Sequence, residues 1–227
     1  MAVASRNSLR LAYRRAVVMT PHFTLLLIGG IAFALPIVAF IGWRFGLSNA
    51  VVFVIVSGGF TALMDFLSAF AAHNYAYPGQ SPLWVATYIF FGWIGMCGSC
   101  LLIAEGLLAK PGQDLLTQPE LRWQVPLLTG VLAVGVDLFI DPIAVKAGYW
   151  VWFKEGTVYY GIPLLNFVGW FVLMTLAPLA WLWIVQQHRR SLGQKVALAV
   201  GALLPLSLAA IAVSMVLNGL IAAVGWR

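Results

Sequence analysis

Six long apolar stretches dominate this 227-residue chain, at about 22–43, 49–71, 82–108, 124–145, 162–187 and 196–224. A helix of ~20 apolar residues matches the hydrocarbon thickness of a bilayer. Inside that layer only a helix can satisfy its own backbone hydrogen bonds within one segment. The expected fold is therefore all-α, a polytopic membrane bundle of six or seven helices forming one domain over 22–227. Composition agrees: 62% of residues are hydrophobic, 9% are charged, and mean hydropathy is +0.94. Soluble domains are about 45–50% apolar and about 25% charged. A soluble enzyme, a secreted disulfide scaffold and a disordered regulator are all excluded.

The 13 Lys and Arg outnumber the 7 Asp and Glu, giving +6. These charges sit in the N-terminal segment and the connecting loops, where anionic headgroups attract them, so nucleic acid is not an expected partner. Residues 1–21 carry Arg6, Arg10, Arg14 and Arg15 among Leu9, Leu11 and Tyr13. That pattern predicts a basic amphipathic segment lying on the membrane surface. No small-residue cleavage site follows promptly and the first apolar run is full length, so a cleaved signal is not expected. A cytoplasmic N-terminus gathers Arg6, Arg10, Arg14, Arg15, Lys146, Lys154 and Arg227 on its side. The opposite side gathers Arg44, Lys110, Arg122, Arg189, Arg190 and Lys195. Seven against six does not decide a topology; a cytoplasmic N-terminus and a bacterial or archaeal cytoplasmic membrane are the expectation. Cys97 and Cys100 form C-G-S-C inside a continuous apolar helix. Packing, and neither redox nor zinc chemistry, is the reading for these two thiols.

Two stretches resemble each other. Asp65 is followed by Asn74-Tyr75-Ala76-Tyr77 and, on the next helix, by Phe91-Gly92-Trp93. Asp137 and Asp141 are followed by Tyr149-Trp150-Val151-Trp152 and then by Val168-Gly169-Trp170. Each unit, about 49–108 and 124–187, reads as carboxylate helix, aromatic turn, Gly-Trp helix. Starting two helices apart, they run in the same direction, as parallel repeats do.

Carboxyl groups at membrane depth are the first candidates for chemistry, because burying them uncompensated costs roughly several kcal/mol. Asp65, Glu105, Asp137 and Asp141 qualify, and the sequence places no basic residue beside them at that depth. A carboxyl held neutral can act as a hydrogen-bond donor or general acid. Asp137 and Asp141 are four apart and share a helix face, where one can serve as acid and the other as base. Pro142 is expected to end that helix. Asp65 has two readings, an interhelical hydrogen bond or a second acid. Glu105 reads as an interfacial residue near Lys110. The D-x-x-x-D spacing also suits magnesium-diphosphate sites, but position 133 is alanine and Asp65 stands alone, so no metal site is expected.

Aromatic residues make up 14% of the chain. Tyr75, Tyr77, Trp150, Trp152, Tyr159 and Tyr160 fall in two turns that the topology puts on one side. They read either as an interfacial belt or as the roof of a pocket whose ring faces stabilise a cation. Trp93 and Trp170 join the candidate lining. Asn166, beyond Pro163, is an amide that can position water or an acid, or bond to another helix. His73 reads as a headgroup contact, and His22 and His188 carry no assigned chemistry. Serine-hydrolase, phosphate-loop and histidine-box patterns are missing from the sequence.

The segment Asp137-Leu-Phe-Ile-Asp141-Pro142, then Gly148-Tyr149-Trp150-Val151-Trp152, then Tyr159-Tyr160-Gly161-Ile162-Pro163-Leu164-Leu165-Asn166-Phe167-Val168-Gly169-Trp170 resembles the carotenoid biosynthesis membrane proteins. That family includes carotenoid 1′,2′-hydratases and bisanhydrobacterioruberin hydratases. Tyr75-Ala76-Tyr77 and Pro82-Leu83 look like a second family segment, although Asp65 and Asn74 stand where the family has a glutamate helix and glycines. The resemblance implies a lipophilic carotenoid or polyene substrate, water as co-substrate, no cofactor, and contact with other carotenoid-pathway enzymes. It implies addition of water across the terminal C1–C2 double bond, with Asp137 as acid, Asp141 as base and Asp65 as alternative acid. Asn166 would position water, and the aromatic residues would line the pocket. A metal-free isoprenoid cyclase, a proton-coupled transporter of lipids or small molecules, and a non-catalytic scaffold are the competing readings.

Overall fold

The computed structural model describes residues 21–153 and 157–224. The basic segment expected over 1–21 lies outside the described residues except Pro21, as do Lys154 and Arg227. Among the described residues, six helices are long and apolar enough to cross a membrane. They are α1 (Pro21–Phe45), α2 (Leu47–Ala71), α3 (Pro82–Leu108), α4 (Leu121–Ala147), α5 (Leu164–Val185) and α6 (Leu192–Ala223). The protein is an all-α polytopic bundle.

Helix boundaries follow local chemistry. Gly46, at φ 97°, supplies the single-residue reversal between α1 and α2, a backbone state that glycine adopts without a Cβ penalty. Ser81 caps α3, accepting from the Trp84 amide, and Pro82 occupies its first turn. Ser191 and Gln194 cap α6 reciprocally. Pro142 does not end α4, contrary to expectation. The helix runs on to Ala147 and closes on left-handed Gly148, with the Tyr149 amide donating to the Ala144 carbonyl at 2.9 Å. That closure is a Schellman-type stop. Membrane helices tolerate an internal proline because neighbouring helices enclose the freed carbonyl.

α2 is irregular. Val54–Phe60 and Leu67–Ala71 make wide π turns around a short α-helical stretch, Thr61–Phe66. Each wide turn inserts an extra residue and rotates the following face. Asp65 thus sits between two such turns, with six further residues before the helix ends at Ala71 rather than at its last turn.

α1 packs on α3, α3 on α4, α4 on α5, and α5 on α6, while α2 touches α3, α5 and α6. The inner helices α2, α3 and α5 carry most of the core, and α1 and α6 are largely lipid-facing. Cys97 and Cys100 are free thiols buried in that core.

The two ends of the bundle differ. At one end Arg44 pairs with Glu105 at 2.8 Å, and Glu105 Oε1 also accepts from the Leu115 amide at 3.0 Å. Glu105 is 1% exposed. It is not an interfacial partner of Lys110, and a basic residue does reach a buried acid, because α1 lies against α3 and brings Arg44 across 61 residues of sequence. Lys195 donates to Asn49 Oδ1 at 3.2 Å nearby. At the other end, the 72–81 and 148–163 connections meet. Strand β1 (Tyr75–Ala76) pairs antiparallel with β2 (Val151–Trp152), Tyr75 opposite Trp152. A hairpin of β3 (Thr157–Tyr159) and β4 (Ile162–Pro163) turns through left-handed Tyr160 and Gly161 and leads into α5.

α4 and α5 approach closely at Gly130, where an added Cβ would lie 2.8 Å from the Phe171 carbonyl oxygen and also strike the Thr175 hydroxyl. Gly130→Ala is expected to destabilise the bundle by about 1–3 kcal/mol, read as a lower unfolding midpoint in detergent. Gly135→Ala, with nothing within 4 Å, should leave that midpoint unchanged.

Candidate functional site

Two polar centres lie toward the β1–β2 end. The first is built on α2. The Tyr75 hydroxyl donates to Asp65 Oδ1. The Tyr77 hydroxyl donates to the same oxygen at 2.8 Å, and the Trp93 indole N–H donates to Oδ2 at 3.0 Å. Asp65 therefore holds one residue from α3 and two from the β1 turn. Alternation along an extended strand sends Tyr75 and Tyr77 to the same side, and the rotated face of α2 brings Asp65 beneath both. Asn74 secures the turn, donating to Ser68 Oγ at 2.9 Å.

Rings from the second connection close over this centre. Trp152 lies against Tyr75 with ring centroids 4.6 Å apart, a contact that the strand register dictates. Trp150 meets Tyr77 edge-on at 6.2 Å, and Tyr75 and Tyr77 meet at 5.5 Å. Trp93 lies 4.6 Å from Trp170 of α5. Six of the sequence-derived aromatic candidates thus form one wall on Asp65. Burial, and after it the neighbouring Asp65 charge, hold the Tyr75 and Tyr77 phenols well above the ordinary tyrosine range. Both remain O–H donors through neutral and mildly alkaline pH.

The second centre joins α4 to α5. Asn166 Nδ2 donates to Asp137 Oδ2 at 2.6 Å and to Asp141 Oδ2 at 2.7 Å. One amide has two N–H groups, so a single side chain can serve both carboxyls. Asp137 is fully buried and Asp141 nearly so. Asp137 Oδ1 has no protein partner, which leaves one acid oxygen unengaged in a buried setting. Asn166 and Trp170 are four apart on α5 and share a face. The helix therefore links the two centres: the amide engages the carboxyl pair, and one turn on the indole meets Trp93, which itself donates to Asp65.

Tyr159 and Tyr160 stand apart from this arrangement. They pack on each other with centroids 4.7 Å apart, Tyr159 also meets Phe167, and Tyr160 is 75% exposed. His73 is exposed as well. Conversely, Tyr88 is buried 5.9 Å from Tyr77 with its hydroxyl unpartnered, and the buried Trp152 indole N–H is also unpartnered. Tyr88 carried no sequence signal, being one tyrosine in an apolar helix; its position seven residues into α3, close above the Tyr77 turn, is the only hint. Phe23 and Tyr149 extend the same aromatic cluster. No group of three or more His, Cys, Asp or Glu side chains suited to a metal ion occurs among the described residues.

Comparison with known families gives a match to the carotenoid biosynthesis protein family over residues 22–226. The chain belongs to that family and is an integral-membrane carotenoid biosynthesis protein. No curated protein and no solved structure matches it.

Because the folded state favours the neutral phenols, their contribution to stability is complete below the ordinary tyrosine value of about 10 and falls above it. Replacing both residues, Tyr75→Phe with Tyr77→Phe, should leave the phenolate absorbance that develops near pH ~10 unchanged in amplitude. Loss of two of the chain's seven tyrosines from that step would contradict the assignment.

Proposed function

We propose that the protein adds water across the terminal C1–C2 double bond of an acyclic carotenoid end. The observation that carries this reading is the single Asn166 amide holding Asp137 and Asp141 together, with Asp137 Oδ1 unengaged. Two adjacent carboxyls hold one proton more readily than two negative charges. In the proposed reaction Asp137 gives that proton to C2, and the π electrons of the double bond form the new C–H bond. A tertiary cation is left at C1. Water adds its oxygen to C1 and releases a proton to Asp141, so that the pair regains one proton per turnover. The net change is addition of one water, and no electron acceptor or donor is consumed.

Family membership supports a polyene substrate, and the aromatic wall supports a cationic intermediate. Ring faces stabilise cations by roughly 0.5–2 kcal/mol each. Of the two candidate acids we assign the proton to Asp137, because all three donors around Asp65 point toward its oxygens. Asn166 keeps the carboxyl pair in register, and water reaches it from the β1–β2 end.

In a lycopene-producing host, Asp137→Asn is expected to lower hydroxylated product by about 10²-fold or more while the protein still inserts. Unchanged product would remove Asp137 as acid. Mass analysis of extracted pigment separates hydration, which adds one water, from cyclisation, which leaves the mass unaltered. Turnover in proteoliposomes should survive exhaustive chelation, and loss restored by Mg²⁺ would favour a metal-dependent route.

A further inference from the structure

Asp65 lies outside the proposed proton route, yet it carries the densest set of side-chain hydrogen bonds among the described residues. Three donors, two phenols and an indole, converge on its two oxygens. Such convergence stabilises a carboxylate in its charged form. Each donor belongs to a ring of the aromatic wall. Donating a hydrogen bond to an anion shifts electron density toward the ring, and the quadrupole of that ring already presents a negative face. The electron-rich acceptor oxygens behind the wall and the rings in front of it therefore act on a cation in the same sense. Little water dilutes the effect, since Tyr75, Tyr77 and Trp93 are each less than 9% exposed. Trp150, Trp152 and Trp170 are only half-buried, so the wall is accessible on their side.

We propose that the Asp65-anchored wall of Tyr75, Tyr77, Trp93, Trp150, Trp152 and Trp170 is a cation-binding surface whose ligands are hydrocarbon chains ending in a quaternary ammonium group. This deepens the hydration reading and rests on it, since a trimethylammonium head carries the single positive charge and the methyl-substituted bulk of the tertiary cation. Asp65 is then a positioning residue. It fixes three rings and places its acceptor oxygens behind them, and it transfers no proton.

The test compares two probes of equal shape in zwitterionic nanodiscs, by titration calorimetry. One is a 20-carbon isoprenoid chain ending in trimethylammonium; the other is the same chain ending in an uncharged tert-butyl group. The native protein is expected to favour the ammonium by about 10–30-fold, the range for one or two well-placed rings. Asp65→Asn should shrink that preference to about threefold or less with the tert-butyl affinity retained, a separation that loss of folding would not produce. Equal binding of the two probes by the native protein would overturn the proposal without recourse to any variant. So would an undiminished ammonium preference in a folded Asp65→Asn protein. The measurement needs no turnover. A strong preference combined with normal product from Asp137→Asn would topple the acid assignment alone, and equal binding combined with lost product would topple this inference alone.

Discussion

A polar group inside a bilayer has no water to fall back on, and this requirement for an internal partner governs the whole bundle. Backbone groups meet it by forming helices, and the few polar side chains meet it by pairing across helix seams. Glu105 is held by Arg44 and the Leu115 amide, Asp65 by three aromatic donors, and Asp137 with Asp141 by one amide. Each solution has a different chemical character. The first is a neutralised ion pair that fastens α1 to α3. The second surrounds a buried carboxyl group with hydrogen-bond donors. The third brings two acids together with fewer donors than acceptors.

That contrast divides the molecule along its length. The Arg44–Glu105 end, with Lys195 and Asn49 beside it, ties its charged groups across helices and reads as a fastening, though Glu105 Oε2 and Arg122 Nε stay buried without a partner. The β1–β2 end keeps polar atoms in reserve, Asp137 Oδ1, Tyr88 Oη and Trp152 Nε1 among them. Fully satisfied polar networks rigidify, whereas unsatisfied buried groups are costly. Their concentration beside the conjoined carboxyls is where a ligand has most to offer the protein.

Much of this was legible in the sequence because the bilayer imposes simple rules. The six spans follow from hydropathy and length, and the facing of Asp137 and Asp141 from a four-residue interval on a helix. The aromatic turns were recognisable from alternation, although only the strand register shows that Tyr75 and Trp152 stand opposite one another. What stayed hidden was non-local. Arg44 and Glu105 are 61 positions apart, and nothing in either neighbourhood names the other. The wide turns of α2 have at most a faint trace in Ser57-Gly58-Gly59 and Ser68, yet they decide which way Asp65 points. Pro142 misled because its breaking tendency in water is weakened where other helices enclose the backbone. Tyr159 and Tyr160 share the composition of the wall, but a tight left-handed turn swings them outward.

The short ribbon between β1 and β2 carries a consequence for assembly. Its partners, Tyr75 and Trp152, belong to different helical hairpins, and two full membrane crossings separate them in the chain. The ribbon cannot close until α3 and α4 have both been threaded through the bilayer and brought alongside α2. Loop closure over such a distance is entropically slow compared with forming a helix. The reactive end is thus a late product of biogenesis, and a nascent chain halted after its third crossing would be inserted and helical yet chemically blank.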